Sequence, residues 1–428
     1  MIVNPFTFGN PVRDPDQFYG REREMRQIVG RLLSSAFEST SVVGERRIGK
    51  TSLLTHLAHP QIATELGLTP DQYTVVYVDF QGCTDITPVR FWSRVLRKVA
   101  RALADEELAA LAKETMSRTE IDQYDLEDLF MEIEDRGLRL VLLMDEFEYV
   151  TQNPNFGLDF FAGLRALAIH CPLALITATR EELVDLCHSD AIKGSPFFNI
   201  FASVFLRPFS PEEVAALIEG ELTAASVTFS ESEKAYIGEI AGGHPIFVKM
   251  AGHYCFEAHQ MGLEGGALRQ HVAENFLQQA EPHFTYLWTH SGESERITLL
   301  TLLALARGKK GRPTQDQLLK AYSRASYILP DLIKRGLALK QNERFDVFSP
   351  LFADWLLMEM SVGAGEEADE QTAQQWIEER GGIERTTWNR IRRAFPRLKK
   401  EYWPLLGEFL RDTSAEIAAQ LIVNMGGI

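Results

Sequence analysis

Short apolar segments alternate with longer amphipathic ones along the first half of the chain. The short segments have the length and the β-branched composition of buried strands, and the longer ones repeat apolar residues at helical spacing. Strands that alternate with helices predict parallel pairing and a sheet covered by helices on both faces. The predicted strands are 39–43, Tyr73–Phe80, Leu138–Met144, Leu173–Ala178 and a short one near Ser203–Leu206, and the clearest helices are about Pro88–Leu103 and Leu158–His170.

The pattern changes after residue 209. From Ser210 to about residue 285 the apolar spacing is helical throughout, and Ser-Pro-Glu-Glu at 210–213 is typical of a helix N-terminus. Three further helices then precede two β-like arms around the polar turn 341–343, an order that predicts a winged helix. The three helices are predicted at Arg296–Ala306, Gln315–Tyr322 and Ser326–Arg335.

Composition limits the class of protein. The chain has 428 residues, 45% hydrophobic and 24% charged, which is typical of a soluble globular protein with more than one domain. Its four cysteines are scattered, so neither a disulfide framework nor a zinc site is indicated. No early segment resembles a secretory signal, and no apolar run is long enough to span a bilayer. We therefore expect a cytoplasmic protein without a membrane partner.

Residues 44–51 read Gly-Glu-Arg-Arg-Ile-Gly-Lys-Thr, a complete phosphate-binding loop between a predicted strand and a predicted helix. The glycines let the backbone bend so that its N–H groups point at phosphate oxygens, and the helix N-terminus adds partial positive charge. Lys50 is expected to reach the β- and γ-phosphates, and the Thr51 hydroxyl to ligate Mg²⁺. The alternative is a chance Gly-Lys-Thr turn, which the flanking strand and helix disfavour.

Two acids follow the strand Leu138–Met144. Asp145 at the end of an apolar strand is expected to hold the water shell of Mg²⁺, two strands away from the phosphate loop. Glu146 is expected to polarise the water that attacks the γ-phosphate. Asp79 also ends a strand and is the rival for the metal, but no second acid follows it.

The strand Leu173–Ala178 leads into Thr179 and Arg180. Ligands of open α/β sheets lie at the carboxyl ends of the strands, so Arg180 is expected to reach the γ-phosphate. The alternative is a helix cap at Thr179, with Arg180 paired to Glu181 or Glu182.

These motifs together resemble the STAND class of AAA+-like ATPases, close to archaeal ATPases and origin-recognition proteins. The resemblance covers residues 1 to about 358 and includes the Walker A loop, the Walker B strand and an arginine sensor at Arg180. It also includes an adenine-side box at 18–22 and the Gly-His-Pro of a lid at 243–245. The resemblance implies Mg²⁺ and ATP or ADP as ligands, catalytic roles for Lys50, Glu146 and Arg180, and metal ligation by Thr51 and Asp145. The residues expected to contact the nucleotide are Tyr19, Arg21, Gly44, Glu45, Arg46, Arg47, Ile48, Gly49, Lys50, Thr51, Ser52, His244 and Pro245.

We therefore predict an α/β fold of the P-loop NTPase class with an AAA+-type parallel sheet, followed by helical domains. Its domains are expected to be a core (1–209), a helical lid (210–288), a winged helix (289–360), a linker (361–370) and a helical C-terminal module (371–428).

Two functions remain open. The first is a molecular switch that hydrolyses ATP slowly, assembles into a homo-oligomer and engages an effector or adaptor through the module 371–428, as the resemblance to bacterial defence proteins implies. The second is a DNA-binding ATPase of the origin-initiator or transposition-regulator type. A net charge of -16 disfavours generic DNA binding. The third winged-helix segment also carries few cations, whereas basic and aromatic residues interleave at 388–403.

Overall fold

The structure is a computed structural model that describes residues 3–188, 194, 196–223, 225, 227–307, 311–361, 398–413, 417 and 421. The chain divides into two compact units. The first unit is Phe8–Arg207, and the second is Met1–Thr7 together with Pro208–Ile428. The predicted linker after Ser361 and most of the predicted C-terminal module lie outside the described residues. Within the described ranges, no helix combines the length and the apolar composition needed to cross a membrane.

A five-stranded parallel sheet forms the centre of the first unit, in the order β2-β3-β4-β1-β5. Each strand lies within two residues of its predicted position, and the predicted α/β fold of the P-loop class is confirmed. The strands are β1 Ser39–Val43, β2 Tyr73–Asp79, β3 Arg139–Asp145, β4 Leu173–Thr179 and β5 Phe201–Phe205.

Helices cover both faces of this sheet, which explains why the central strands read as continuous apolar runs. Along β3, Leu140, Leu142 and Met144 join one apolar core, whereas Val141 and Leu143 join the other. The alternation follows from the two-residue period of a strand. The helices are α1 Glu22–Leu32, α2 Lys50–Leu57, α3 Pro60–Glu65, α4 Pro88–Ala102, α5 Glu106–Ser117, α6 Gln123–Asp135, α7 Glu148–Thr151 and α8 Leu158–His170.

Among its described residues, the second unit is mainly helical and contains one hairpin, β6 Ala338–Gln341 with β7 Arg344–Val347. Asn342 and Glu343 connect these strands with φ of 49° and 60°, as a two-residue hairpin turn requires. The interpretation of these elements as a lid and a winged helix stays a prediction. The helices are α9 Pro211–Thr223, α10 Glu231–Ala241, α11 Pro245–Gln260, α12 Gly265–Thr289, α13 Glu293–Ala306, α14 Gln315–Ala321, α15 Ala325–Lys334, α16 Pro350–Met360 and α17 Trp403–Asp412.

Residues 3–7 group with the second unit, whereas the sequence predicts them in the core 1–209. The Phe6 side chain is fully buried and stacks on Phe229 at 5.8 Å, and Asn4 donates a hydrogen bond to the His253 carbonyl at 3.0 Å. Gly252 makes room for the ring, because a Cβ there would lie 2.5 Å from it. Burial of one large aromatic side chain therefore places this segment with the second unit.

Candidate nucleotide-binding site

The carboxyl ends of three strands bring the predicted motifs to one edge of the sheet. Parallel register sets Val43 of β1 beside Thr179 of β4, and Met144 of β3 beside Thr177 of β4. The Gly44 amide donates a hydrogen bond to the Thr179 carbonyl at 3.1 Å. The phosphate loop, the two acids and Arg180 therefore meet at the edge where ligands bind in open α/β sheets.

The loop between β1 and α2 is shaped by its glycines. Gly49 has a φ of 104°, a left-handed conformation that few other residues adopt, and it caps the N-terminus of α2. At Gly44 a Cβ would lie 2.8 Å from the fully buried Ile48 side chain, so a larger residue would displace the loop. The backbone thus has the conformation that the sequence pattern requires.

Lys50 is the first residue of α2, and its side chain is buried. Its amine donates hydrogen bonds to the carbonyls of Gly44 and Glu45, at 2.8 and 3.3 Å. Burial lowers the pKa of this amine, and the negative charges of Glu148, Glu146, Asp145 and Glu45 oppose that effect. The amine therefore lies among four carboxylates and has only neutral carbonyls as hydrogen-bond acceptors in these two contacts.

Asp145 is 1% exposed and is held from two sides. The Thr51 hydroxyl hydrogen-bonds its carboxylate, and the Tyr77 hydroxyl donates to Oδ2 at 2.8 Å. Burial raises the pKa of Asp145, while these two hydrogen bonds favour the charged form. Thr51 and Asp145, the two residues predicted to bind the metal, are therefore direct neighbours.

Glu146 follows with a φ of 52°, which is strained backbone for a residue other than glycine. Burial raises the pKa of its carboxyl to about 7, helped by the charges of Glu148 and Asp145 and opposed by Lys50. A carboxyl group with a pKa near neutrality is suited to accept a proton from water.

Arg180 pairs with a residue that the sequence did not single out. Its Nε donates to Oε1 of Glu148 at 3.2 Å, while the Thr179 hydroxyl donates to the Glu181 carbonyl at 2.7 Å. The alternative expected Thr179 to cap a helix, but no helix begins directly after it in the described residues and its hydroxyl donates to a carbonyl. Arg180, however, contacts an acid 32 residues away in the chain, at the end of the Walker B segment.

The remaining loop residues contact the chain near its start. Arg46 and Arg47 are exposed, and Arg47 donates a hydrogen bond to the Gly9 carbonyl at 3.1 Å. The Ser52 hydroxyl accepts from the Val12 amide at 3.1 Å. Glu45 is 8% exposed and accepts from the Arg46 amide at 3.0 Å. Residues 9–12 therefore lie against the phosphate loop and its helix.

Arg21 contacts the loop rather than lying open to solvent. Its guanidinium is 3% exposed and donates hydrogen bonds to the carbonyls of Ile48 and Arg207, at 2.9 and 2.6 Å. Tyr19 precedes it and is partly buried. The structure therefore gives Arg21 a role in holding the phosphate loop, and the nucleotide contacts of Tyr19 and Arg21 stay predictions.

Replacing Arg21 by alanine is expected to lower the melting temperature of the first unit by about 5–10 °C, since two carbonyls lose a charged donor. Nucleotide affinity should fall with it, because Ile48 anchors the loop. The control is Arg23→Ala, an exposed arginine of the same helix. Equal melting temperatures for the two variants would show that the Arg21 contacts do not support the loop.

His244 and Pro245 lie in the second unit. His244 is 2% exposed, and its Nε2 lies 2.8 Å from the Gly336 carbonyl, while its ring contacts Phe348. Pro245 begins α11, as expected for a proline in the first turn of a helix. The predicted contact of these two residues with a nucleotide stays a prediction.

Sequence reasoning missed Glu148 and Tyr77. Glu148 lies three residues after Asp145, close enough along the chain to have marked it as a third acid of the site. Tyr77 lies two positions before Asp79 in β2, on the face of the strand that Asp79 shares. Asp79 itself accepts a hydrogen bond from the Gln81 amide at 2.7 Å.

The residues at this edge of the sheet fit a magnesium–nucleotide complex. The loop has no room for a Cβ at Gly44, and together with the buried Lys50 amine it offers the groups that bind phosphate. The hydroxyl of Thr51 beside the carboxylate of Asp145 offers the oxygen ligands that Mg²⁺ requires. Glu148 adds a buried oxygen, Oε2, that accepts no hydrogen bond from any described residue.

Comparison with known proteins gives one family match. The family model described as novel STAND NTPase 2 matches residues 31–308. None of the curated proteins compared with this chain matches it.

Solved structures resemble the fold at low sequence identity. The Walker-type ATPase PABY2304 of Pyrococcus abyssi is 17% identical with a TM-score of 0.54, over 82% of this chain and 99% of that one. The ORC2 protein of Aeropyrum pernix, in its ADPNP–ADP complexes, is 16% identical with a TM-score of 0.50, over 83% and 98%. At such identities the likeness concerns the fold, which is that of P-loop NTPases related to origin-recognition proteins.

Proposed function

We propose that this chain, which belongs to the novel STAND NTPase 2 family of AAA+-like P-loop ATPases, is a molecular switch controlled by ATP. Binding and slow hydrolysis of ATP would control self-assembly and the engagement of a partner protein. The single observation that carries this proposal is the meeting of Lys50, Asp145 and Arg180 at one edge of the sheet. The resemblance of its motifs to those of bacterial defence proteins supports a signalling role.

The triphosphate is bound by the loop amides and by two cations. The Lys50 amine now donates to main-chain carbonyls, and neutral acceptors of this kind are weaker partners than phosphate oxygens. Arg180 approaches from β4, the strand between β1 and β3, and so can contact the phosphate farthest from the loop. A binding site with one cation on each side distinguishes a triphosphate from a diphosphate.

The metal position is formed by Thr51 and Asp145. When bound, Mg²⁺ supplies positive charge that stabilises the phosphate oxygens during transfer. The Tyr77 hydroxyl fixes the orientation of the Asp145 carboxylate, and Thr51 presents its hydroxyl from the first turn of α2. Glu146 is in place to orient and deprotonate the attacking water, so that the enzyme is a Mg²⁺-dependent ATPase.

The charges around the hairpin β6–β7 favour a packing role for this region over DNA contact. Arg312 pairs with Asp346 at 2.7 Å, Lys340 pairs with Glu343 at 3.0 Å, and Arg335 pairs with Glu295 at 2.6 Å. To bind a phosphate backbone, these cations would first have to leave their carboxylate partners. We therefore propose that the partner of this switch is a protein.

Nucleotide-dependent assembly is tested on the Glu146→Gln variant, which should retain bound ATP. With Mg²⁺ and ATP we expect this variant to elute as a larger species than with ADP, measured by size-exclusion chromatography with light scattering. The matched control is Lys50→Ala in the same background, which should elute identically with either nucleotide. An unchanged monomer with bound ATP would contradict the switch proposal.

A further inference from the structure

Glu148 is a buried carboxylate, and one of its two oxygens accepts no hydrogen bond from the described residues. It begins α7 and is 4% exposed. Oε1 accepts from Arg180, whereas Oε2 is buried and accepts no hydrogen bond from any described residue. A charged group in this condition is costly unless a cation stays close to it. The ion pair with Arg180 is therefore a strong local constraint.

The same carboxylate lies close to the phosphate-binding lysine. Among the charged groups that act on Lys50, Glu148 has the largest effect, and it is also the strongest negative influence on Glu146. Glu148 thus contacts Arg180 and acts through its charge on Lys50 and Glu146. These are the groups that the proposed function places around the terminal phosphate.

We propose that Glu148 takes the place of the γ-phosphate as the partner of Arg180 whenever no triphosphate is bound. The inference rests on the proposed function and specifies how the site distinguishes ATP from ADP. A carboxylate and a phosphate compete for one guanidinium, and the phosphate offers more oxygens and more negative charge. In this proposal ATP binding turns Arg180 from Glu148 to the γ-phosphate, whereas ADP leaves the pair intact.

This competition makes Glu148 a positioning residue that weakens triphosphate binding. When Arg180 turns to the phosphate, Glu148 loses its cation and stays in a poorly solvated place. Removing the charge of Glu148 should therefore raise the affinity for ATP more than the affinity for ADP. The effect must depend on Arg180, which separates competition from simple repulsion between Glu148 and the phosphate.

The test measures dissociation constants for ADP and for the nonhydrolysable analogue adenylyl imidodiphosphate, with Mg²⁺, by calorimetry. Glu148→Gln should bind the analogue about tenfold more tightly than the wild-type protein, and ADP within about twofold of it. In the Arg180→Gln background, the change at Glu148 should have no effect on either ligand. The matched control Glu181→Gln, at an exposed acid beside Arg180, should leave both constants unchanged.

Other outcomes overturn the inference in distinguishable ways. An equal gain in the Arg180→Gln background would mean that Glu148 acts by repulsion alone, and a loss of analogue affinity would make it a ligand of the nucleotide complex. Glu148→Asp keeps the charge but shortens the side chain, so it should give part of the gain in analogue affinity. An analogue affinity equal to that of the wild-type protein would contradict a role for the Glu148–Arg180 pair. Failure of the wild-type protein to bind either nucleotide would instead overturn the proposed function.

Discussion

Replacing Lys50 by alanine is expected to weaken the binding of MgATP at least about a hundredfold, because its amine would make the charge-assisted hydrogen bonds to the outer phosphates. The structure strengthens this expectation over the sequence motif alone. The amine is buried against the loop carbonyls of Gly44 and Glu45, and the charge of Asp145 acts on it. Calorimetric titration with MgATP measures the loss.

The control for this experiment is Lys98→Ala, which removes an exposed lysine of α4 and should leave the affinity unchanged. The unfolding transition of Lys50→Ala must also be recorded, since its amine hydrogen-bonds two loop carbonyls. A folded Lys50→Ala protein with wild-type affinity would mean that the nucleotide binds elsewhere.

The Glu146→Gln variant is expected to hydrolyse ATP at least about a hundredfold more slowly than the wild-type protein, because loss of a general base has an effect of this size. Its affinity for MgATP should change little, since Glu146 is not among the groups that hold the phosphates. Steady-state release of phosphate gives the rate, and titration gives the affinity. The amide is isosteric and keeps the left-handed backbone at this position possible.

The matched control for hydrolysis is Glu132→Gln, an exposed acid of α6 outside the predicted site. Hydrolysis at the wild-type rate in the Glu146→Gln protein would show that Glu146 is not the general base. Glu148 would then be the acid to examine, because its charge acts on Lys50 and the sequence assigned it no role.

The sheet and the two Walker motifs could be predicted because their signals are local. An apolar run such as Leu138–Met144 favours a buried strand, and the glycines of the phosphate loop favour a tight backbone bend, whatever surrounds them. Parallel register then places strand ends together without further information, which is why Thr51 and Asp145 are neighbours as predicted.

The residues that the sequence missed depend on contacts between distant segments. The pairing of Glu148 with Arg180 spans 32 residues, and the alternative partners Glu181 and Glu182 are adjacent to the arginine. Arg21 was assigned to the nucleotide by resemblance, but its guanidinium contacts carbonyls 27 and 186 residues away. The Phe6 ring stacks on Phe229, which lies far from it in the sequence. No local pattern encodes such partners.

The central claim is that one nucleotide is shared by the Lys50 amine and the Asp145 carboxylate. A crystal structure of the protein with Mg²⁺ and adenylyl imidodiphosphate tests it most directly. We expect the Lys50 amine to have left the Gly44 and Glu45 carbonyls for phosphate oxygens, with the Thr51 hydroxyl on the metal and Asp145 in its water shell. A nucleotide bound at another place, with Lys50 still on those carbonyls, would contradict the account.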